Sequence, residues 1–150
     1  LKPYFPASDE FDIELFPFYW VARLNAKYAL EMEKTLKLLN MDVSRWRVAV
    51  LLHRHEELSI SEIAEHAIGK MPTITKIVYR MRDEELVEIG SCLKDRRVIR
   101  VRLTHKGQDI VDMVLQQTQT LFRKAFKGMS DAQIRKSTEL LSQLFSNLNQ

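Results

Sequence analysis

Positive charge is the most concentrated chemistry in this chain of 150 residues. Residues 70–106 hold ten lysines and arginines against five acids, so the segment carries +5 while the remainder sums to −2. Two clusters stand out within it. One is Thr73, Thr75, Lys76 and Arg80, and the other is the run Lys94, Asp95, Arg96 and Arg97. Ammonium and guanidinium groups neutralise phosphates, and a threonine brings both a hydroxyl for a base edge and a methyl for the thymine methyl. A solvated charged face would also look basic, so the elements that carry the charge must decide. Other chemistries find less support. The four histidines, His53, His55, His66 and His105, and the single Cys92 make no H-x-x-x-H or C-x-x-C spacing, so neither a metal centre nor a cofactor is expected. No glycine-rich phosphate loop, G-x-S-x-G or cysteine–histidine signature is present, and an enzyme is not expected. Cys92, beside Lys94, Arg96 and Arg97, is either a thiol of lowered pKa able to sense oxidants or a plain exposed thiol.

The elements around these side chains are legible. Ser59 and Glu62 have capping-box spacing, which starts a short helix through Ala67. Ile68-Gly69 predicts a turn with glycine at positive φ, and Pro72 suits the opening of a second helix. Ile74, Ile77, Val78 and Met81 recur at three and four, which leaves Thr73, Thr75, Lys76, Tyr79 and Arg80 on the wet side. That is a helix-turn-helix with a basic second helix. Two strands should follow, Val87–Ile89 and Val98–Leu103, the second with Val101 and Leu103 alternating with Arg100 and Arg102. The cationic run Lys94–Arg97 falls at the tip between them. A helix-turn-helix followed by such a hairpin is a winged helix.

At these residues the chain resembles a family. LVEIGSCLKDRRVIRVRLTHKG, with D-x-R at Asp95-Arg96-Arg97 and Leu-Thr-x-x-Gly closing the strand, is similar to the wing of the MarR (multiple-antibiotic-resistance regulator) transcription factors. The resemblance covers nearly the whole chain and departs at Met71, where a small polar residue is common. It implies that Arg97 enters a minor groove, that Asp95 holds the wing's arginine side chain, and that Arg96 and Lys94 meet phosphates. From the helix-turn-helix itself, Thr73, Thr75 and Lys76 are the candidates for base edges. Lys70, Arg80, Ser59 and Ser61 are those for phosphates, although capping alone explains Ser59. The resemblance further implies a small aromatic acid held between dimer helices and DNA lobe. Tyr19, Trp20, Arg23, Trp46, Arg47 and His53 could supply its aromatic walls and a cation.

The rest of the chain is read as helix. Leu1–Phe11, with two prolines and three aromatics, is expected to be an extended arm, followed by a helix from Ile13 or Pro17 to Leu39. Ser44 is the expected N-cap of a largely buried helix through Arg54. Thr104 should cap a long helix to about Lys127, and Ser130, with Gln133 three residues on, should cap the last. The expected fold class is therefore mainly α, a winged helix with a small β-hairpin wing. One domain would comprise a DNA-binding lobe (44–103) and a helical dimerisation region (1–43 and 104–150). Amphipathic helices at both ends need partners that one protomer cannot offer, and the resemblance likewise implies helices paired between subunits. No stretch approaches the roughly 18 apolar residues of a membrane span. No signal peptide is apparent at Leu1–Glu10, and one cysteine suits a reducing compartment, so a cytoplasmic protein is expected. The expected function is a homodimeric, ligand-responsive regulator on palindromic double-stranded DNA. The alternative is a helical dimerisation or interaction module whose winged helix no longer binds DNA.

Overall fold

A computed structural model describes residues 2–149, which divide into two compact units, 2–117 and 118–149. In the first unit the arm makes a series of turns, not an extended strand. The backbone N–H groups of Phe5, Ser8 and Phe11 donate three residues back, to Lys2, Phe5 and Ser8. Leu1 lies outside the described residues. One turn of 3-10 helix at Ile13–Leu15 precedes α1 (Pro17–Leu38), which opens on its proline.

The next helix, α2 (Val43–His55), starts one residue before the expected Ser44 cap. Asp42 caps it instead, its carboxylate accepting the Arg45 N–H at 2.9 Å. A carboxylate there also offers negative charge to the positive end of the helix dipole, which a serine does not. Trp46, Val48, Ala49 and Leu52 of α2 share the core with Met32 and Leu36 of α1.

A short strand, β1 (Glu57–Ser59), was not foreseen, because three residues are too few to display alternation. The helix α3 (Ile60–Ala67) begins with the expected capping box: Ser59 Oγ accepts from Glu62 N–H, and Glu62 returns a carboxylate to Ser59 N–H. The turn after it corrects one expectation. Ile68, not Gly69, takes the left-handed conformation, at φ 51°. A Cβ on Gly69 would lie 2.8 Å from the Ile74 side chain, which would have to shift to admit it. The second helix, α4 (Met71–Asp83), buries Ile74, Val78 and Met81 as its spacing predicts.

The wing follows as β2 (Val87–Ser91) and β3 (Ile99–Leu103), in a three-stranded antiparallel sheet of order β1-β3-β2. Leu58 and Ile89 flank the fully buried Val101 across the two ladders. Thr104 caps α5 (His105–Ala125), accepting the Gly107 N–H at 3.0 Å as expected. In the second unit α5 ends at Ala125, two residues before the foreseen Lys127, and Gly128 (φ 81°) closes the turn that follows. The helix α6 (Asp131–Leu148) starts at a Ser130–Gln133 capping box, and its Leu140, Leu141, Phe145 and Leu148 are exposed.

Candidate nucleic-acid interface

Two locks hold the C-terminal end of α4. The first is Arg45, which is buried although charged. Its guanidinium donates to Asp42 Oδ2 at 3.1 Å, to the Asn40 carbonyl at 2.9 Å and to the carboxylate of Glu84, just past α4. A buried guanidinium is tolerable only when its donors are matched in this way. Desolvation pushes the Asp42 carboxyl up, but the Arg45 N–H and guanidinium, with Arg80 beyond, outweigh it and hold the group below the usual carboxylate range. The second lock is the start of α5. Thr104 Oγ1 donates to the Glu85 carbonyl at 2.6 Å, Thr104 N–H to the Leu86 carbonyl at 3.0 Å, and Lys106 Nζ to the Glu84 carbonyl at 2.9 Å. Sequence reasoning missed Arg45. The Asp42-x-x-Arg45 spacing was visible, but its third partner lies 39 residues away.

On the opposite side of α4, Thr73 and Lys76 are exposed, with Lys70 just before the helix. Thr75 is half-buried, and its hydroxyl donates to the Met71 carbonyl at 2.7 Å. Arg80 is divided between Glu84 (3.1 Å) and Asp42 (3.5 Å), so a phosphate there would compete with two carboxylates. Ser59 is buried in its capping box and contacts Ser61 Oγ at 3.2 Å, while Ser61 is exposed. An open cleft of about 300 Å³ joins α3, α4 and the wing, with Ser61, Met71, Thr75, Tyr79 and Arg97 in its walls. The structure thus brings residues far apart in sequence onto one surface.

The wing tip is built around Asp95. Its Oδ1 accepts the Arg97 backbone N–H at 3.0 Å and meets Arg97 Nε at 3.4 Å, while the Arg97 side chain stays 92% exposed. Lys94 and Arg96 are exposed, with no ion pair among the described residues. The other cations of the wing are already matched. Arg102 faces Glu88 across the ladder at 2.9 Å, and Arg100 bridges Glu62 at 3.1 Å and Glu57 at 3.8 Å. Backbone N–H groups of Asp95 and then Lys94 draw the Cys92 thiol below its ordinary pKa.

Glu62 joins cap and wing, and this gives a pH prediction. The Ser59 N–H, against desolvation, and then the Ser59 hydroxyl and Arg100 hold its carboxyl below the usual range. A depressed carboxylate contributes stability above its unfolded value, roughly pH 4.3, and loses it as pH falls through the lower folded value. Melting temperature should therefore fall more steeply below about pH 4.3 in the wild type than in Glu62→Gln. Parallel melting curves between pH 6 and pH 3 would sink this assignment.

Of the six candidate ligand residues, three come together on α1. Arg23 donates to Tyr19 Oη at 2.8 Å and lies 5.1 Å and 5.7 Å from the Tyr19 and Trp20 ring centroids. On α2, Trp46 is buried, Arg47 is exposed, and His53 Nδ1 lies 2.7 Å from Gln108 Nε2. No hydrogen bond or ring contact joins the two triads among the described residues.

Known proteins share this fold. The MarR family pattern matches residues 42–99, the segment from the Asp42 cap to the first residue of β3. An HTH-type transcriptional repressor, IacR of Pseudomonas putida, is 46% identical over 143 residues, covering 95% of this chain and 86% of its own. The chain belongs to the MarR family. It is a winged-helix transcriptional regulator. Among solved structures, a mutant MarR from Escherichia coli complexed with operator DNA superposes with a TM-score of 0.75 at 20% identity, over 91% of this chain and 99% of that one. NadR in complex with 4-hydroxyphenylacetate does so with 0.75 at 19% identity, over 94% of each. At such identities these two bear on the fold. No helix among the described residues is long and apolar enough to cross a membrane.

Proposed function

We propose that this MarR-family regulator is a cytoplasmic repressor that binds a palindromic operator as a homodimer and leaves it when a small aromatic acid binds. The relatives support this reading: one 46% identical is named a repressor, and related folds are described with operator DNA and with an aromatic acid. In this reading residues 44–103 are the DNA-binding lobe, and 1–43 with 104–150 pair between subunits. A two-fold axis then sets the two α4 helices one DNA turn apart, roughly 34–36 Å. Thr73, Thr75 and Lys76 read base edges, and Lys70, Ser61, Lys94 and Arg96 meet phosphates. Tyr19, Trp20 and Arg23 offer aromatic faces and one cation to a carboxylate.

The observation that carries the reading is the Asp95–Arg97 turn, in which a carboxylate orients an arginine that is almost wholly exposed. A solvated surface charge needs no such aim, whereas a guanidinium entering a narrow minor groove gains from the enhanced negative potential there. Arg97→Ala is therefore expected to weaken binding chiefly to duplexes with narrow, A·T-rich flanks. Asp95→Ala should weaken it too. Charge counting alone predicts the reverse, because removing a negative group from a phosphate-binding surface helps. Titrating both proteins against one selected duplex at two salt concentrations decides between them, and tighter binding by Asp95→Ala at both would refute the orienting role.

A further inference from the structure

Leu93 stands at the tip of the wing fully exposed, at 103% of its reference area, in a chain whose core is elsewhere. Its neighbours Lys94, Arg96 and Arg97 are also exposed. The tip that displays it is pinned: Cys92 N–H donates to the Val98 carbonyl at 2.9 Å, Val98 N–H to the Asp95 carbonyl at 3.0 Å, and Arg97 N–H to Asp95 Oδ1 at 3.0 Å. A large apolar side chain here contributes nothing to folding, and water solvates it poorly. Lone exposed leucines are ordinary on protein surfaces. One held on a fixed turn among three cations is placed where phosphate attraction would press it against a duplex.

In that setting the apolar surfaces within reach are the deoxyribose walls and the edge of a base step. Proteins that enter the minor groove use leucine and similar side chains as wedges between steps, and pyrimidine–purine steps open most readily. We propose that Leu93 is such a wedge, so that the wing selects a deformable step in addition to a narrow groove. The inference rests on the proposed placement of the wing in the minor groove. Arg97 would then supply the electrostatic attraction, and Leu93 the preference for a step that bends.

The test uses 30-bp duplexes that the wild-type protein enriches from a random pool, remade in pairs differing only at the step under the wing, TA against AA. Leu93 makes no core contact, so Leu93→Ser should fold normally. It is expected to bind the TA duplex about tenfold more weakly than wild type and the AA duplex within about twofold, with a smaller bend by circular permutation. Equal losses on both duplexes, or no loss on either, would overturn the wedge. Arg97→Ala separates the two ideas. If it weakens binding and Leu93→Ser does not, the wedge fails and the minor-groove reading stands. If wild type enriches no sequence, the DNA reading fails and the wedge falls with it.

Discussion

Gly107→Ala is expected to destabilise the protein by about 3 kcal/mol or more, the upper end for overpacking a filled site. A Cβ at this buried position would lie 2.1 Å from the Leu86 carbonyl oxygen and 3.1 Å from Leu103 Cδ2. Main chain is what it meets, so no rotamer change relieves the contact. Alanine is the better helix former by about 1 kcal/mol, which offsets only part of the loss. The Leu86 carbonyl also accepts the Thr104 N–H, and Thr104 Oγ1 accepts the Gly107 N–H, so pushing α5 away strains the cap and the end of α4 together. Urea denaturation should show a lower midpoint and DNA affinity should fall with it. A variant as stable as wild type would mean that the start of α5 does not sit against the Leu86 carbonyl as described.

The second large effect concerns Arg45 and Glu84. Glu84→Ala should cost about 3 kcal/mol, near the low end for stranding a buried charge, because Asp42 and the Asn40 carbonyl still hold part of the guanidinium. Arg45→Met should cost less. The carboxylates it abandons are 43% exposed for Asp42 and 34% for Glu84, and water can solvate both. The cost of breaking such a pair comes from the buried charge left unmatched, and here only Arg45 is deeply buried. Both variants should nevertheless lose DNA affinity beyond their loss of stability, since each frees the end of α4 from α2. The measurement is the order of the two denaturation midpoints. Arg45→Met falling below Glu84→Ala would contradict the account of a buried charge held by more exposed partners.

Much of this protein is decided within stretches of ten or twenty residues. The capping boxes at Ser59 and Ser130 need only residues three apart, and the core face of α4 needs only a repeat of three and four. The Thr104 cap, the alternation of β3 and the basic tip are local in the same sense. These patterns set the helix-turn-helix, the wing and the family, because each depends on neighbours along the chain. Local rules misjudged the α2 cap and the turn before α4. Asp42 was preferred to Ser44 for its charge and its reach to Arg45, and Ile68 rather than Gly69 takes the left-handed position.

What the tertiary structure alone decided is which charges remain free. Ten cations in residues 70–106 look alike in a sequence. In the fold, Arg100 and Arg102 are matched by Glu57, Glu62 and Glu88, and Arg80 is shared between Asp42 and Glu84. Arg82 is paired with Asp83, so among the described cations of α4 and the wing Lys70, Lys76, Lys94 and Arg96 have no ion pair, and Arg97 meets only its neighbour Asp95. The strand β1, three residues long, exists only because β3 offers it a ladder. Arg45 is charged in the core because Glu84 returns to it from 39 residues away. Ion pairs and ladders between distant segments form only after the chain has closed on itself, so no window of sequence contains them.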